Sequence, residues 1–300
     1  MTIKKCDDEP RKDVKTVEGV HGTCALCDGN NVSLKESHSI PKFAYDWLKK
    51  TSATQFIRDT RDVNIRHQDG PKTHILCGEC EGKLSAWEKK LAEGVFRKIA
   101  NYQKQSQVVM ISDEIKLAVL SIFWRVLLTT NGDDNDRTYE DKVVVSEFLK
   151  TAKKEILNSQ CGATIYFSPF YGEPPYYGLP IEYSYELERS IGSQDIRFGD
   201  NPHRYFAVFK LPFMYFYILS PGWAHKETSK ATKLEVGEMQ VDKIKDIPDV
   251  LKLYIKRGHE EFLKSKASMD AISQEQIRRD VQKNSGKITG SEKSLRRSGQ

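Results

Sequence analysis

Two Cys-x-x-Cys pairs, Cys24-Ala-Leu-Cys27 and Cys77-Gly-Glu-Cys80, constrain this chain more than any other feature, with 49 residues between the inner cysteines. A Cys-x-x-Cys turn lets two thiolates face one ion, and two such turns complete the tetrahedral four-sulfur shell that Zn²⁺ accepts without strain. The pattern predicts a structural zinc held by Cys24, Cys27, Cys77 and Cys80, which clips the two ends of the intervening segment together. An ion with four protein ligands has no open position and is not the catalyst. The competing readings are four unrelated thiols or a redox pair. Cys6 and Cys161 stand alone and read as inert.

The redox setting bears on that choice. Met1 to Lys5 run into Asp7, Asp8 and Glu9 without an apolar stretch, so no secretory signal is expected. No segment reaches the roughly 18 apolar residues of a membrane helix; Leu117 to Leu128 and Tyr205 to Leu219 are short and carry Arg125 and Lys210. The expectation is a soluble, cytoplasmic protein without a membrane partner, where cysteines serve as thiols or metal ligands rather than disulfides.

Periodicity divides the chain into four stretches. Residues 1–21 hold few large apolar side chains and read as a flexible lead-in. Residues 22–105 form the metal-stapled module, with a short helix after Pro41 and a second helix whose Leu84, Trp87, Leu91, Val95 and Ile99 recur at steps of three and four. Residues 110–264 read as a second, α+β domain of unknown role. It has helices near 115–129, 140–157 and 247–264, with strand-like runs at 163–167, 181–187, 205–210 and 213–220. Residues 265–300 read as a basic, largely disordered tail with a short helical piece near 274–282. Net charge by position is 0 over 1–23, +4 over 24–105, −4 over 106–263 and +5 over 264–300. Two basic regions flanking an acidic middle suit a chain whose ends face a polyanion.

Between the cysteine pairs, Glu36-Ser37-His38-Ser39-Ile40-Pro41-Lys42 is followed by Gln68-Asp69-Gly70-Pro71-Lys72, Leu76-Cys77 and Ser85-Ala86-Trp87-Glu88-Lys89. The order is a Cys-x-x-Cys turn, a strand ending in His before Ile-Pro, a loop, and a Cys-x-x-Cys that opens a helix. Over about residues 22–100 this resembles the HNH endonucleases of the ββα-metal type. The resemblance implies a zinc-stapled ββα-metal module, with the helix after Cys80 beneath the strand that ends at His38. It further implies hydrolysis of DNA phosphodiester bonds, with His38 as general base and a divalent Mg²⁺ or Mn²⁺ ion at the scissile phosphate. Ser37 stands where the family usually has a metal ligand, and Glu81 stands at the third position, after the second cysteine pair. Glu81 and Asp69 are therefore the candidate ligands of the catalytic ion, as hard oxygen donors. Glu88, two helical turns beyond Glu81, is a supporting group or half of a salt bridge.

Lys42, Arg61, Arg66 and Lys72 are the candidate phosphate contacts on DNA; Arg61, Asn64 and Arg66 alternate on one side of an expected extended loop, where they could act together. Two other functions fit the same residues. One is a non-catalytic, zinc-supported nucleic-acid-binding protein whose metal positions have decayed. The other is a subunit that meets a protein partner through 110–264 in a larger, defence-type assembly. The aromatic and proline run from Tyr166 to Tyr177 reads as core plus rigid loop more readily than as a base-stacking platform. Asp133-Asp134-Asn135-Asp136 reads as a polar helix-to-helix turn, since it lacks the glycine and glutamate of a calcium loop.

Overall fold

The computed structural model describes residues 19–59, 61–130, 138–198 and 204–284. The Asp133 to Asp136 turn, most of the N-terminal lead-in and the tail from 285 lie outside the described residues. The α+β class is what the chain adopts.

The N-terminal part is built around a hairpin. Short β1 (His21–Gly22) pairs with β2 (Val32–His38), which pairs antiparallel with β5 (Lys72–Cys77) in the order β1-β2-β5. Between β2 and β5 lie α1 (Lys42–Lys50) and the ribbon of β3 (Ile57–Arg58) with β4 (Arg66–His67). α2 (Gly78–Leu91) starts directly at the end of β5 and continues through a π-helical turn, Ala92–Phe96, into α3 (Arg97–Ile99). The apolar stripe of Leu84, Trp87, Leu91, Val95 and Ile99 is buried throughout, as its periodicity requires.

β6 (Val108–Ile111) then leads into α4 (Asp113–Thr130), which is apolar on nearly every side and is buried on nearly every side. One flank packs on α2, and Gly94 in the following π-helical turn permits the close approach of Ile115, whose Cδ1 would stand 2.9 Å from a Cβ there. The other flank meets a four-stranded antiparallel sheet, with Phe123 4.8 Å from Phe209. That sheet runs β7 (Tyr166–Pro169), β10 (Met214–Leu219), β9 (Tyr205–Leu211), β8 (Gly192–Phe198). β10 is buried at every residue, the signature of a strand covered on both faces.

α5 (Tyr139–Asn158) starts in a capping box of Thr138 and Asp141 and docks its end on α2, where Lys83 Nζ donates to the Ile156 and Leu157 carbonyls at 3.0 Å. After β7 come a 3₁₀ turn (Ile181–Tyr183) and α6 (Ser184–Arg189), then β8 to β10 and short α7 (His225–Thr228). β11 (Gly237–Gln240) returns to pair with β6. α8 (Asp249–Ala267) covers the second face of the sheet, with Tyr254 against Phe206 and Tyr215. α9 (Ala271–Asn284) finishes the described chain.

One expectation changes here. Residues 181–187 are helical, not extended: Pro180 ends the preceding extended backbone, and Ser184, Leu187 and Glu188 then meet the interior at helical spacing. The stretches 22–105 and 110–264 are not parted by a gap in packing. One hydrophobic core runs from Cys24 and Leu26 through α2, α4 and the large sheet to Ile255.

Candidate functional site

Metal ligation begins with a turn. Cys24 N–H donates to the Gly29 carbonyl at 2.9 Å and Asp28 N–H to the Cys24 carbonyl at 2.9 Å, with Asp28 in the left-handed region at φ 58°. Aspartate tolerates that region better than most residues. The knuckle is fixed to the hairpin by Ala25 N–H donating to the Ile75 carbonyl, and to α5 by Lys153 Nζ at 2.6 Å from Asp28 Oδ1. Opposite it, Cys77 ends β5 and Cys80 sits in the first turn of α2.

The four sulfurs lie within 4.8 Å of one another, and Cys27 Sγ is 3.9 Å from Cys77 Sγ. Four Zn–S bonds of about 2.3 Å at tetrahedral angles separate the sulfurs by about 3.8 Å, so the set could hold a metal ion such as zinc. Cys24 and Cys80 are buried while Cys27 reaches the surface. Burial works to raise the Cys24 thiol, but backbone N–H groups of Cys27, Cys77 and Leu26 bring it down to about 6. One of these, Cys77 N–H, is 3.3 Å from Cys24 Sγ. Such donors support a bound thiolate. Among the described residues, these cysteines are the one group of three or more donors this close together.

His38, the last residue of β2, is only 12% exposed, and its Nε2 lies 2.9 Å from Asp69 Oδ2. The N–H direction is poorly aligned with the oxygen, so the contact is a close N···O approach rather than a well-formed hydrogen bond. Burial raises the Asp69 carboxyl, but the Gly70 N–H at 3.0 Å, His38 and Lys49 together hold it below the usual carboxylate range. The loop is pinned by Lys49 Nζ on the Gln68 carbonyl at 2.8 Å. Tyr45 of α1 packs its ring 5.8 Å from the imidazole, and Gly70 must be glycine because a Cβ would stand 2.1 Å from Tyr45 Cζ.

On the other side of His38 lies α2. Glu81 Oε2 is buried with no hydrogen-bond partner. Glu88 accepts from Arg125 Nη2 of α4, and Arg125 Nη1 donates to the His38 carbonyl at 3.0 Å. Burial pushes Glu88 up against the pull of Arg125, and both Glu81 and His38 act on it electrostatically. A chain of contacts thus runs from Asp69 to the His38 imidazole and from the His38 carbonyl through Arg125 to Glu88, which Glu81 also influences electrostatically.

Other candidates have different fates. Ser37 is buried and Glu36 points outward to Lys72 Nζ at 3.1 Å, as strand alternation demands. Lys72 is also 3.9 Å from Asp69. Lys42 is exposed at the start of α1. Arg61 is bonded to Asp59 at 2.6 Å, Arg66 lies over the Phe56 ring and 4.0 Å from Asp280, and Asn64 accepts from Asp270 N–H. Arg61, Asn64 and Arg66 each therefore have a partner within the chain. The aromatic run belongs to the core, with Tyr166, Phe167, Phe170 and Tyr176 buried.

Arg125 is the residue that sequence reading passed over. A lone cation in an otherwise apolar helix was the available signal, because a buried charge needs a partner. Comparison of the chain with protein-family models, curated proteins and solved structures found no match. No helix among the described residues is long and apolar enough to cross a membrane.

Proposed function

We propose that this chain is a metal-dependent HNH-type endonuclease that hydrolyses DNA phosphodiester bonds, with Cys24, Cys27, Cys77 and Cys80 around a structural Zn²⁺. The observation that carries the reading is the nearly buried His38 imidazole at the end of β2, with its Nε2 2.9 Å from the Asp69 carboxylate. Asp69 serves here as the group that orients the imidazole rather than as a metal ligand. With Nε2 turned to Asp69, Nδ1 is the nitrogen left to take a proton from water. Glu81 keeps the ligand role, because a buried carboxylate oxygen without a partner suits a hard cation. A Mg²⁺ or Mn²⁺ ion, when bound, supplies positive charge to the scissile phosphate and leaving oxygen. Lys42 and Lys72, which flank the centre in sequence, serve as phosphate contacts, and Arg61 and Arg66 join them by exchanging carboxylate partners for phosphates.

The test is nicking of supercoiled plasmid in Mg²⁺ or Mn²⁺. Wild type is expected to nick, and His38→Ala to abolish nicking with zinc content unchanged. Nicking that survives His38→Ala overturns the assignment. The lack of three clustered oxygen donors among the described residues favours a second reading, a zinc-supported nucleic-acid-binding protein. Salt-dependent DNA binding with no cleavage in any divalent ion selects it.

A further inference from the structure

Arg125 is 1% exposed, in a helix whose neighbouring positions Trp124, Val126 and Leu127 are core. A guanidinium is tolerated there only if its donors are satisfied, and the three recorded contacts lead to three different elements. Nε faces the Ser121 carbonyl of its own helix at 3.4 Å, Nη1 reaches the His38 carbonyl at the end of β2, and Nη2 reaches Glu88 on α2. The planar fork fixes the directions of these bonds relative to one another, which a lysine cannot do.

We propose that Arg125 is a positioning residue for the His38 centre. It ties the backbone at His38 to Glu88 of α2, so that the imidazole stays on Asp69. A plain ion-pair role would need only Glu88; the bond to the His38 carbonyl is what such a role leaves unexplained. α4 lies in the 110–264 stretch, so that stretch becomes a structural part of the centre instead of an appendage to it. The catalytic half of this inference rests on the nuclease reading, whereas the positional half does not.

The experiment compares full-length wild type, Arg125→Lys, Arg125→Met and Glu88→Gln. Folding is followed by zinc content and thermal melting, cleavage by kcat and KM, and geometry by imidazole ¹H–¹⁵N correlations, with the exposed His67 and His74 as internal references. For Arg125→Lys we expect retained zinc, KM within about twofold of wild type and kcat lowered roughly 10- to 100-fold, as sub-ångström misplacement of a base produces. The His38 signals shift or broaden while those of His67 and His74 stay in place. Wild-type kcat with unmoved His38 signals overturns the proposal, as does a raised KM at unchanged kcat, which would make Arg125 a binding residue. If wild type does not cleave, the nuclease reading fails and the His38 signals alone decide on Arg125. If both Arg125 variants fail to fold, Glu88→Gln decides: it cuts one arm of the fork, and unmoved His38 signals overturn the proposal.

Discussion

The tightest constraint on the imidazole comes from a residue without a side chain. Gly70 lies so close to the Tyr45 ring that any Cβ forces the ring to move, and that ring is packed beside His38. Gly70→Ala should therefore cost about 1–3 kcal/mol of stability, as overpacking does, and lower cleavage without loss of zinc. Urea unfolding and metal analysis check this, and a variant as stable and active as wild type contradicts it. Asp69 makes a second prediction. Its carboxyl is depressed in the folded state, so its stabilising contribution is present above the unfolded value of 3.8 and is lost as pH falls through the lower folded value. Asp69→Asn removes that contribution, so wild type and variant should converge in stability as the pH is taken below about 4. A gap of constant size across that window would show that the carboxylate is unimportant to the folded state.

Among elements, β9 carries the most unusual group. Lys210 is fully buried on the face turned to α8, donating to the Ser190 carbonyl at 2.7 Å, with its ammonium 5.7 Å from the Tyr215 ring centroid. Burial lowers it from 10.5 to about 7 against the pull of Glu186 and Glu188; Glu186 also pairs with His259 at 3.2 Å. Between pH 7 and 10.5 the unfolded chain binds the extra proton, so this group makes stability rise with pH through that window. Lys210→Met should flatten the rise, measured as urea midpoints at pH 7 and 10 in both proteins; equal slopes would rule the effect out. Helices were the most legible elements in the sequence, because α1, α2, α4, α5 and α8 each bury a stripe or a whole cylinder of apolar side chains. The cysteine cluster was legible too, since two Cys-x-x-Cys pairs are the spacing of a four-sulfur metal site. Residues 181–187 misled because short alternating runs satisfy strand and helix periods equally. Glu88 was legible as half of a salt bridge, but its partner Arg125 was hidden for a different reason: their separation of 37 positions is spanned by tertiary packing, which no local pattern encodes.

For the whole molecule, the continuous core predicts linked losses. Removing metal with a chelator should loosen the knuckle, the hairpin and the start of α2 together, and through α2 the α4 interface. Loss of a few kcal/mol from a structural site corresponds to a melting-point drop of about 10 °C in a protein of this size. Calorimetry before and after chelation checks it; an unchanged melting temperature would mean that the sulfurs carry no structural ion. A fragment of residues 1–105 leaves uncovered the α2 surface that α4 buries, and it should be insoluble or unfolded by circular dichroism, whereas a folded fragment would show that the module is autonomous.

The last described helix has a temporal consequence. α9 and the residue before it are tied to the loop between α1 and β5: Asp270 N–H donates to Asn64, Arg58 donates to Ser273 Oγ and Asn284 donates to the Ala53 carbonyl, over separations of 206 to 231 residues. A ribosome adding about 5–20 residues per second needs roughly 10–40 s to travel from one partner to the other. For that interval the nascent loop lacks its clasp, so the order of translation delays the assembly of this corner until α9 has been made.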